Sequence, residues 1–227
     1  MEDLLAQPTI FSIIILGHNH PSLPSTFTSV TWLGSFLSVL ITCTQSNIAL
    51  DETLSILYHQ LSPTAAGVLP PEIITPLATI LAPLSSAHPH PQTRFLTFRL
   101  LALLLKRSSP LIRFEILRDL SGSENEWPQM RIASVGLIKE GILEGLEGPP
   151  HNSLATRHCM ETFEKILFCP NPSSLFSDLE RGNNVEEWDA SELARISECL
   201  SLLYVVLLRD KDNRVSPLPV PSLSPRL

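Results

Sequence analysis

Apolar residues recur along this chain at the spacing of an α-helix, in segments that proline-rich loops separate. No segment combines strict apolar–polar alternation with the turn residues of a sheet, and residues 9–16 are the only strand candidate. The pattern therefore predicts an all-α protein. The predicted helices are 26–44, 51–61, a short one opened by Pro70-Pro71 and made irregular by Pro76 and Pro83, 92–106, one opened by Ser109-Pro110, 127–146, 153–168 and one that follows Asp189.

Three of these helices carry specific expectations. Segment 92–106 has almost no polar face, so neighbouring helices must cover it on several sides. Segment 127–146 contains glycines that each weaken a helix by about 1 kcal/mol relative to alanine, so it is expected to fray or end early. In the last helix, the spacing predicts that one set of residues faces the core and another set faces water. The core set is Leu193, Ile196, Leu200, Leu203 and Leu207, and the water-facing set is Glu192, Arg195, Glu198 and Ser201.

Short proline-containing loops between successive helices are typical of an irregular HEAT or armadillo stack, an α-solenoid. We therefore predict a helical-repeat domain over residues 26–214. A poorly defined segment, residues 1–25, precedes it. A tail rich in proline and serine, residues 215–227, follows it and is expected to be disordered.

The charge balance argues against a nucleic-acid partner. The 227 residues include 16 Lys and Arg against 23 Asp and Glu, which gives a formal net charge of −7. A phosphate-binding surface needs clustered Lys and Arg, and here these residues are scattered along the chain. The hydrophobic content of 44% excludes a mainly disordered chain.

Candidate chemistry is sparse. The histidine pairs His18-Asn19-His20 and His88-Pro89-His90 have no Cys, Asp or Glu at ligand spacing, and His158 and Cys159 point to different faces of a helix. No nucleotide-binding, hydrolase or metalloprotease motif occurs. We therefore predict no catalytic residue, no cofactor and no metal site, and favour a binding protein, because helical stacks offer long concave surfaces. The four cysteines, expected to be reduced and mostly buried, are Cys43, Cys159, Cys169 and Cys199.

Residues 30–43 form an apolar stretch that bears on location. A membrane-spanning helix needs about 20 mostly apolar residues, so a buried helix is the favoured interpretation, and membrane association through residues 30–43 is the alternative. The acidic start, Met1-Glu2-Asp3, lacks the positive leader of a signal peptide. We expect a cytoplasmic protein, with the nucleus as a further location.

Three sequence stretches carry a resemblance to a known family: Pro91 to Phe95, Met130 to Glu140, and Leu207 to Arg214. In order and spacing they resemble the family that joins glomulin, the plant aberrant-lateral-root protein and fungal stress-factor-binding, kinetochore-related proteins. The resemblance covers roughly Pro70 to Arg214. The framework residues that carry it are Arg94, Phe95, Met130, Arg131, Ala133, Gly136, Lys139, Arg209, Asp210, Lys211 and Asn213.

This resemblance implies HEAT-like repeats without catalysis, in a truncated fungal member of a family whose chains are typically longer. Fungal members bind a basic-zipper transcription factor in the oxidative stress response, or act at kinetochores. Glomulin binds the RING subunit of cullin-RING ubiquitin ligases and inhibits them. The resemblance thus implies an adaptor for a basic-zipper factor, with a glomulin-like ligase inhibitor as the alternative. The acidic balance fits the basic-zipper partner better.

Arg94 and Arg131 each lie near a predicted helix start, where the helix dipole does not favour a cation. Each is therefore expected to be held by a carboxylate from a neighbouring repeat, with a solvated arginine as the alternative. The candidate carboxylates are Glu115, Asp119 and Glu140. No local feature marks any cysteine as a thiolate of low pKa, so none is singled out for redox chemistry.

Overall fold

A computed structural model describes residues 9–19, 30–148, 152–171 and 190–215. These residues are helical and contain no strand, which confirms the all-α prediction. The helices are α1 (Ile10–Asn19), α2 (Val30–Ser46), α3 (Leu50–Leu61), α4 (Pro71–Ala87), α5 (Pro91–Arg107), α6 (Pro110–Ser121), α7 (Pro128–Glu147), a 3-10 turn (Ser153–Ala155), α8 (Arg157–Leu167) and α9 (Ala190–Arg209).

Two early elements differ from the sequence predictions. The strand candidate, residues 9–16, lies mostly in α1, whose inner face is buried. The helix expected to be short is α4, which runs for 17 residues although Pro76 and Pro83 lie inside it. An internal proline removes a backbone hydrogen bond, and the buried apolar face of α4 offsets that loss through packing. That face comprises Ile73, Ile74, Leu77 and Leu81.

The contacts divide the chain into two compact units, residues 1–113 and 114–227. In the first unit, α3 packs on both α1 and α5, which makes one layer of three helices. The second layer is the pair α2 and α4, and α4 also packs against α5 across the layers. Alternate helices side by side in two layers are compatible with the predicted helical repeat.

The predicted domain boundaries at residues 26 and 214 stay a prediction. Most of the segment 1–25 and the tail after residue 215 lie outside the described residues, as does Asp189, the expected start of the last helix. No helix within the described ranges is long and apolar enough to cross a bilayer. In α2, Leu33, Phe36 and Leu40 are buried, as the interpretation of residues 30–43 as a core helix requires.

The second unit is built around α7 and α9, which pack along their lengths. Arg131 in the first turn of α7 lies 3.7 Å from Glu192 in the first turn of α9. After the end of α9, Arg214 donates a hydrogen bond of 3.1 Å to the carbonyl of Leu146 near the end of α7. The first turns of α7 and α9 are thus in contact, and so are their last turns. The two helices therefore run parallel.

Helix α8 runs in the opposite direction to α7 and α9. It begins just after the 3-10 turn that packs on α7, and its last carbonyls accept hydrogen bonds from Arg195 near the start of α9. Helices α7, α8 and α9 therefore alternate in direction, up–down–up.

Helix α5 is covered on fewer sides than its composition predicts. Leu100, Leu101 and Leu104 are buried, whereas Phe95 and Leu96 are 59% and 43% exposed. The packing partners α3 and α4 cover only the inner part of the helix surface. The prediction of cover on several sides was therefore wrong for the first turns of α5.

The glycines of α7 do not end the helix, which continues to Glu147. A Cβ atom built on Gly145 would lie 2.8 Å from the Cβ of Ala155 and 3.2 Å from its backbone nitrogen. The 3-10 turn thus packs on α7 at a position that only glycine fits. Gly136 differs, because no atom outside the local helix lies within 4 Å of an added Cβ.

We expect Gly136→Ala to raise the free energy of unfolding by about 1 kcal/mol, because alanine favours the helix and meets no neighbour. Gly145→Ala should lower that free energy by about 1 kcal/mol or more, because its methyl group displaces Ala155. Urea denaturation followed by far-UV circular dichroism measures both changes. Equal effects of the two substitutions would contradict this account of α7.

Candidate protein-interaction site

Helix α9 turns a different face inward from the one that its leucine spacing predicts. Leu193, Leu200 and Leu207 are 38%, 57% and 41% exposed, so the prediction that they face the core was wrong. Glu192 and Arg195, predicted to face water, are buried. The full buried set of α9 is Glu192, Arg195, Cys199, Leu202 and Val206.

The buried charges of α9 form an ion pair with two hydrogen bonds. The Nε of Arg195 donates to Oε2 of Glu192 at 2.7 Å, and its Nη2 donates to Oε1 of the same carboxylate. Arg195 is 2% exposed and Glu192 is 4% exposed. Removing such ions from water costs several kcal/mol each unless their remaining hydrogen-bonding groups also find partners.

Those partners are backbone groups at the end of α8. Nη1 of Arg195 donates to the carbonyl of Leu167 at 2.8 Å, and Nη2 donates to that of Cys169 at 2.9 Å. The last carbonyls of a helix lack partners within the helix, and a cation there is also favoured by the dipole. The amide of Asn171 donates to Oε1 of Glu192 at 2.9 Å. The ion pair therefore ties the α8 end to α9.

Arg131 adds a third charge to this cluster through its contact with Glu192. The expected carboxylate partner of Arg131 thus exists, but it is none of the candidates Glu115, Asp119 and Glu140. Arg94 has no carboxylate partner among the described residues, so that prediction was wrong. Its Nη1 instead donates to the carbonyls of His88 at 2.6 Å and Pro89 at 3.1 Å, which lie in the loop before α5.

Electrostatics keep this buried cluster ionised. Burial by itself raises the pKa of Glu192, but hydrogen bonds from Arg195 and Asn171 and the charges of Arg195 and Arg131 outweigh it. The pKa of Glu192 is therefore lowered from its ordinary value of 4.5. The hydrogen bond with Glu192 raises the pKa of the Arg195 guanidinium above its ordinary range, despite burial.

A second buried carboxylate, that of Asp210, lies just after α9. The carboxylate of Asp210 is buried and accepts hydrogen bonds of 2.8 Å from the backbone amides of Arg214 and Val215. Asn213 adopts a left-handed φ of 52°, which asparagine tolerates better than most residues. These contacts fold the chain back so that Arg214 reaches α7. Arg209 and Lys211 are exposed.

The remaining framework residues divide between the two units. Met130 is buried, Ala133, Gly136 and Lys139 are half-buried, and all four lie in α7. In the first unit, the guanidinium of Arg99 stacks over the ring of Phe95 at 5.7 Å. The structure therefore joins the second and third motif stretches through the α7–α9 pair. The framework role assigned to these residues stays a prediction.

The four cysteines differ in accessibility. Cys43, Cys159 and Cys199 are buried, as predicted for most of the thiols. Burial raises the pKa of all three, to about 12 for Cys159 and about 11 for Cys199. Cys169 is exposed and lines a cavity of about 780 Å³ with Arg131. Across the described ranges, no three His, Cys, Asp or Glu side chains converge as metal ligands.

The outward face of α9 is apolar. We call it the α9 stripe, and it comprises Leu193, Leu200, Tyr204, Leu207 and Leu208, which are 38% to 65% exposed. Exposed apolar faces of this kind are typical of protein-interaction surfaces. The second unit carries eleven Lys and Arg against eighteen Asp and Glu, a net charge of −7, whereas the first unit carries five of each sign. The stripe therefore lies on the acidic unit.

Acid should weaken the second unit through Glu192. Because its pKa is lower in the folded chain, its stabilising effect is present above the unfolded pKa and is lost as pH falls below about 4.5. We expect Glu192→Gln to lower the free energy of unfolding by about 3 kcal/mol at neutral pH. In this variant, the free energy of unfolding should also decrease less steeply as the pH falls. Glu198→Gln, at an exposed position of the same helix, is the control. Equal acid profiles for Glu192→Gln and the unmodified chain, measured by urea denaturation, would contradict this.

Comparison with known proteins agrees with the arrangement of the motif stretches. The uncharacterised protein family YAP/Alf4/glomulin matches residues 26–218, which include all three stretches, the charged cluster and the α9 stripe. No curated protein and no solved structure matches the chain significantly. Since the match covers well over half of the residues, the chain belongs to the YAP/Alf4/glomulin family.

Proposed function

We propose that this chain is a non-catalytic adaptor that binds a basic-zipper transcription factor in the oxidative stress response. Membership of the YAP/Alf4/glomulin family supports a protein-binding role. The observation that carries the choice of partner is the α9 stripe on a unit of net charge −7.

The stripe fits a helical partner with heptad spacing. Leu193, Leu200 and Leu207 are seven residues apart, with Tyr204 and Leu208 beside them. A basic zipper is a continuous helix with apolar heptad positions and a segment rich in Lys and Arg. Its apolar face would pack on the stripe as in other helix-in-groove complexes. Its basic segment would be attracted to the acidic unit, which accelerates encounter.

A second candidate partner is the RING subunit of a cullin-RING ubiquitin ligase, bound in the manner of glomulin. Family membership supports it equally, but the acidic charge of the second unit favours the basic partner. Our proposal places the protein in the cytoplasm, with the nucleus as a further location where a transcription factor is present.

Isothermal titration with the purified zipper domain of the host's stress-responsive factor tests this proposal. We expect Leu200→Asp/Tyr204→Asp to weaken binding about tenfold or more, because carboxylates replace exposed apolar contacts at the centre of the stripe. The matched control is Phe11→Asp/Leu111→Asp, which alters two exposed apolar residues of the first unit and should leave the affinity unchanged.

Three outcomes would contradict the proposal. Failure of the unmodified chain to bind the zipper domain would remove the preferred partner. Binding of the RING subunit instead, with loss of recruitment of the ubiquitin-conjugating enzyme, would establish the second candidate. Zipper binding that both double variants retain equally would show that the α9 stripe is not the contact surface.

A further inference from the structure

The first unit carries a groove that is separate from the α9 stripe in sequence. It has a volume of about 790 Å³ and lies between α3 and α5. Leu54 and Leu100 line it and are 5% and 3% exposed, so they form its floor. Tyr58 and Leu96 also line it and are largely exposed, so they form its rims.

The groove follows the axes of both helices. On α3 its lining includes Asp51, Leu54 and Tyr58, which have the spacing of one helix face, and on α5 it includes Leu96 and Leu100. Seven residues at 1.5 Å per residue make the groove about 10 Å long, or two helical turns. This shape matches a short helix laid along it.

The two ends of the groove carry opposite charges. Asp51 lies in the first turn of α3, at one end. Helices α3 and α5 run parallel, because Arg107 at the end of α5 donates a hydrogen bond of 2.8 Å to the carbonyl of Ser62 just after α3. Arg99 is among the last lining residues of α5, so it lies toward the other end, and its guanidinium stacks over the ring of Phe95 one turn earlier. Neither Asp51 nor Arg99 has an ion-pair partner among the described residues. An apolar floor between a free carboxylate and a free guanidinium selects a ligand by both shape and charge.

We propose that this groove binds a short amphipathic helix of a protein partner. The helix is two turns long at the contact, buries apolar side chains spaced i and i+4 against Leu54 and Leu100, and directs a basic residue to Asp51 and an acidic residue to Arg99. A peptide fits better than a small molecule, because the exposed rims, with Phe95 beside them, extend the apolar surface beyond the groove.

This site does not depend on the partner proposed for the α9 stripe. The first unit has five residues of each charge sign, so net charge does not attract a basic factor to it. Its ligand is selected by the positions of two charges. Substitutions at first-unit residues other than Phe11 and Leu111 therefore test the groove independently of the α9 stripe.

The test uses three stapled helical peptides that share leucines at i and i+4. One has lysine a turn before the first leucine and glutamate a turn after the second, and the others carry two lysines or two glutamates. Fluorescence anisotropy of labelled peptides measures affinity for the full chain. We expect the unmodified chain to bind the lysine–glutamate peptide about tenfold more tightly than the other two.

Charge reversal should switch this preference. Asp51→Lys makes both ends of the groove basic, so that variant should prefer the peptide with two glutamates. Arg99→Glu makes both ends acidic, so that variant should prefer the peptide with two lysines. Glu72→Lys, at an exposed position of α4, is the matched control and should keep the original preference.

Leu96→Asp should weaken binding of all three peptides, because it places a charge on an apolar rim. Circular dichroism melting checks that each variant is folded, and Arg99→Glu alone tests the switch if Asp51→Lys is unstable. The proposal would be overturned if the unmodified chain bound none of the peptides. It would also be overturned if charge reversal at positions 51 and 99 left the order of the three affinities unchanged.

Discussion

The buried ion pair between Glu192 and Arg195 fixes the rotation of α9, and the second unit depends on it. Turning the leucines inward would break the hydrogen bonds from Arg195 and Glu192 to the end of α8. The bond to the Leu167 carbonyl is buried, so losing it costs about 1–3 kcal/mol, whereas the bonds at Cys169 and Asn171 are partly exposed. Full burial of one leucine is worth about 1.5–3 kcal/mol. Leu193 and Leu207 are already more than half covered, so rotation would gain only part of that. The observed rotation keeps the hydrogen bonds of the ion pair and leaves part of the leucine surface exposed.

This rotation links stability to function. Because the charged side of α9 is needed inside, most of its leucines and Tyr204 face outward and form the α9 stripe. A protein-binding chain works through such surfaces, since apolar contact supplies affinity and charge supplies selectivity. The second unit combines an apolar stripe with net negative charge, whereas the first combines a groove with two isolated, opposite charges. The two surfaces therefore suit ligands of different chemistry.

Sequence periodicity predicted most of the fold, because nearly every long helix has an apolar face and a proline or polar boundary. It failed in α9, where leucines occur on more than one face and spacing alone cannot choose between them. The i, i+3 spacing of Glu192 and Arg195 was the available signal, since opposite charges so placed are able to pair. It could not reveal that the α8 end supplies the remaining partners. The groove on α3 and α5 was equally hidden, because it needs two helices distant in sequence.

Cysteine accessibility tests the orientation of α9 most directly. In a Cys169→Ser background, the other native thiols are buried, so alkylation reports on a new site. We predict that Leu200→Cys is alkylated rapidly in the folded chain, whereas Leu202→Cys reacts only after denaturation. Protection of position 200 together with rapid labelling of position 202 would show that the leucine stripe faces the core. That result would contradict both the role of the charged cluster and the outward α9 stripe.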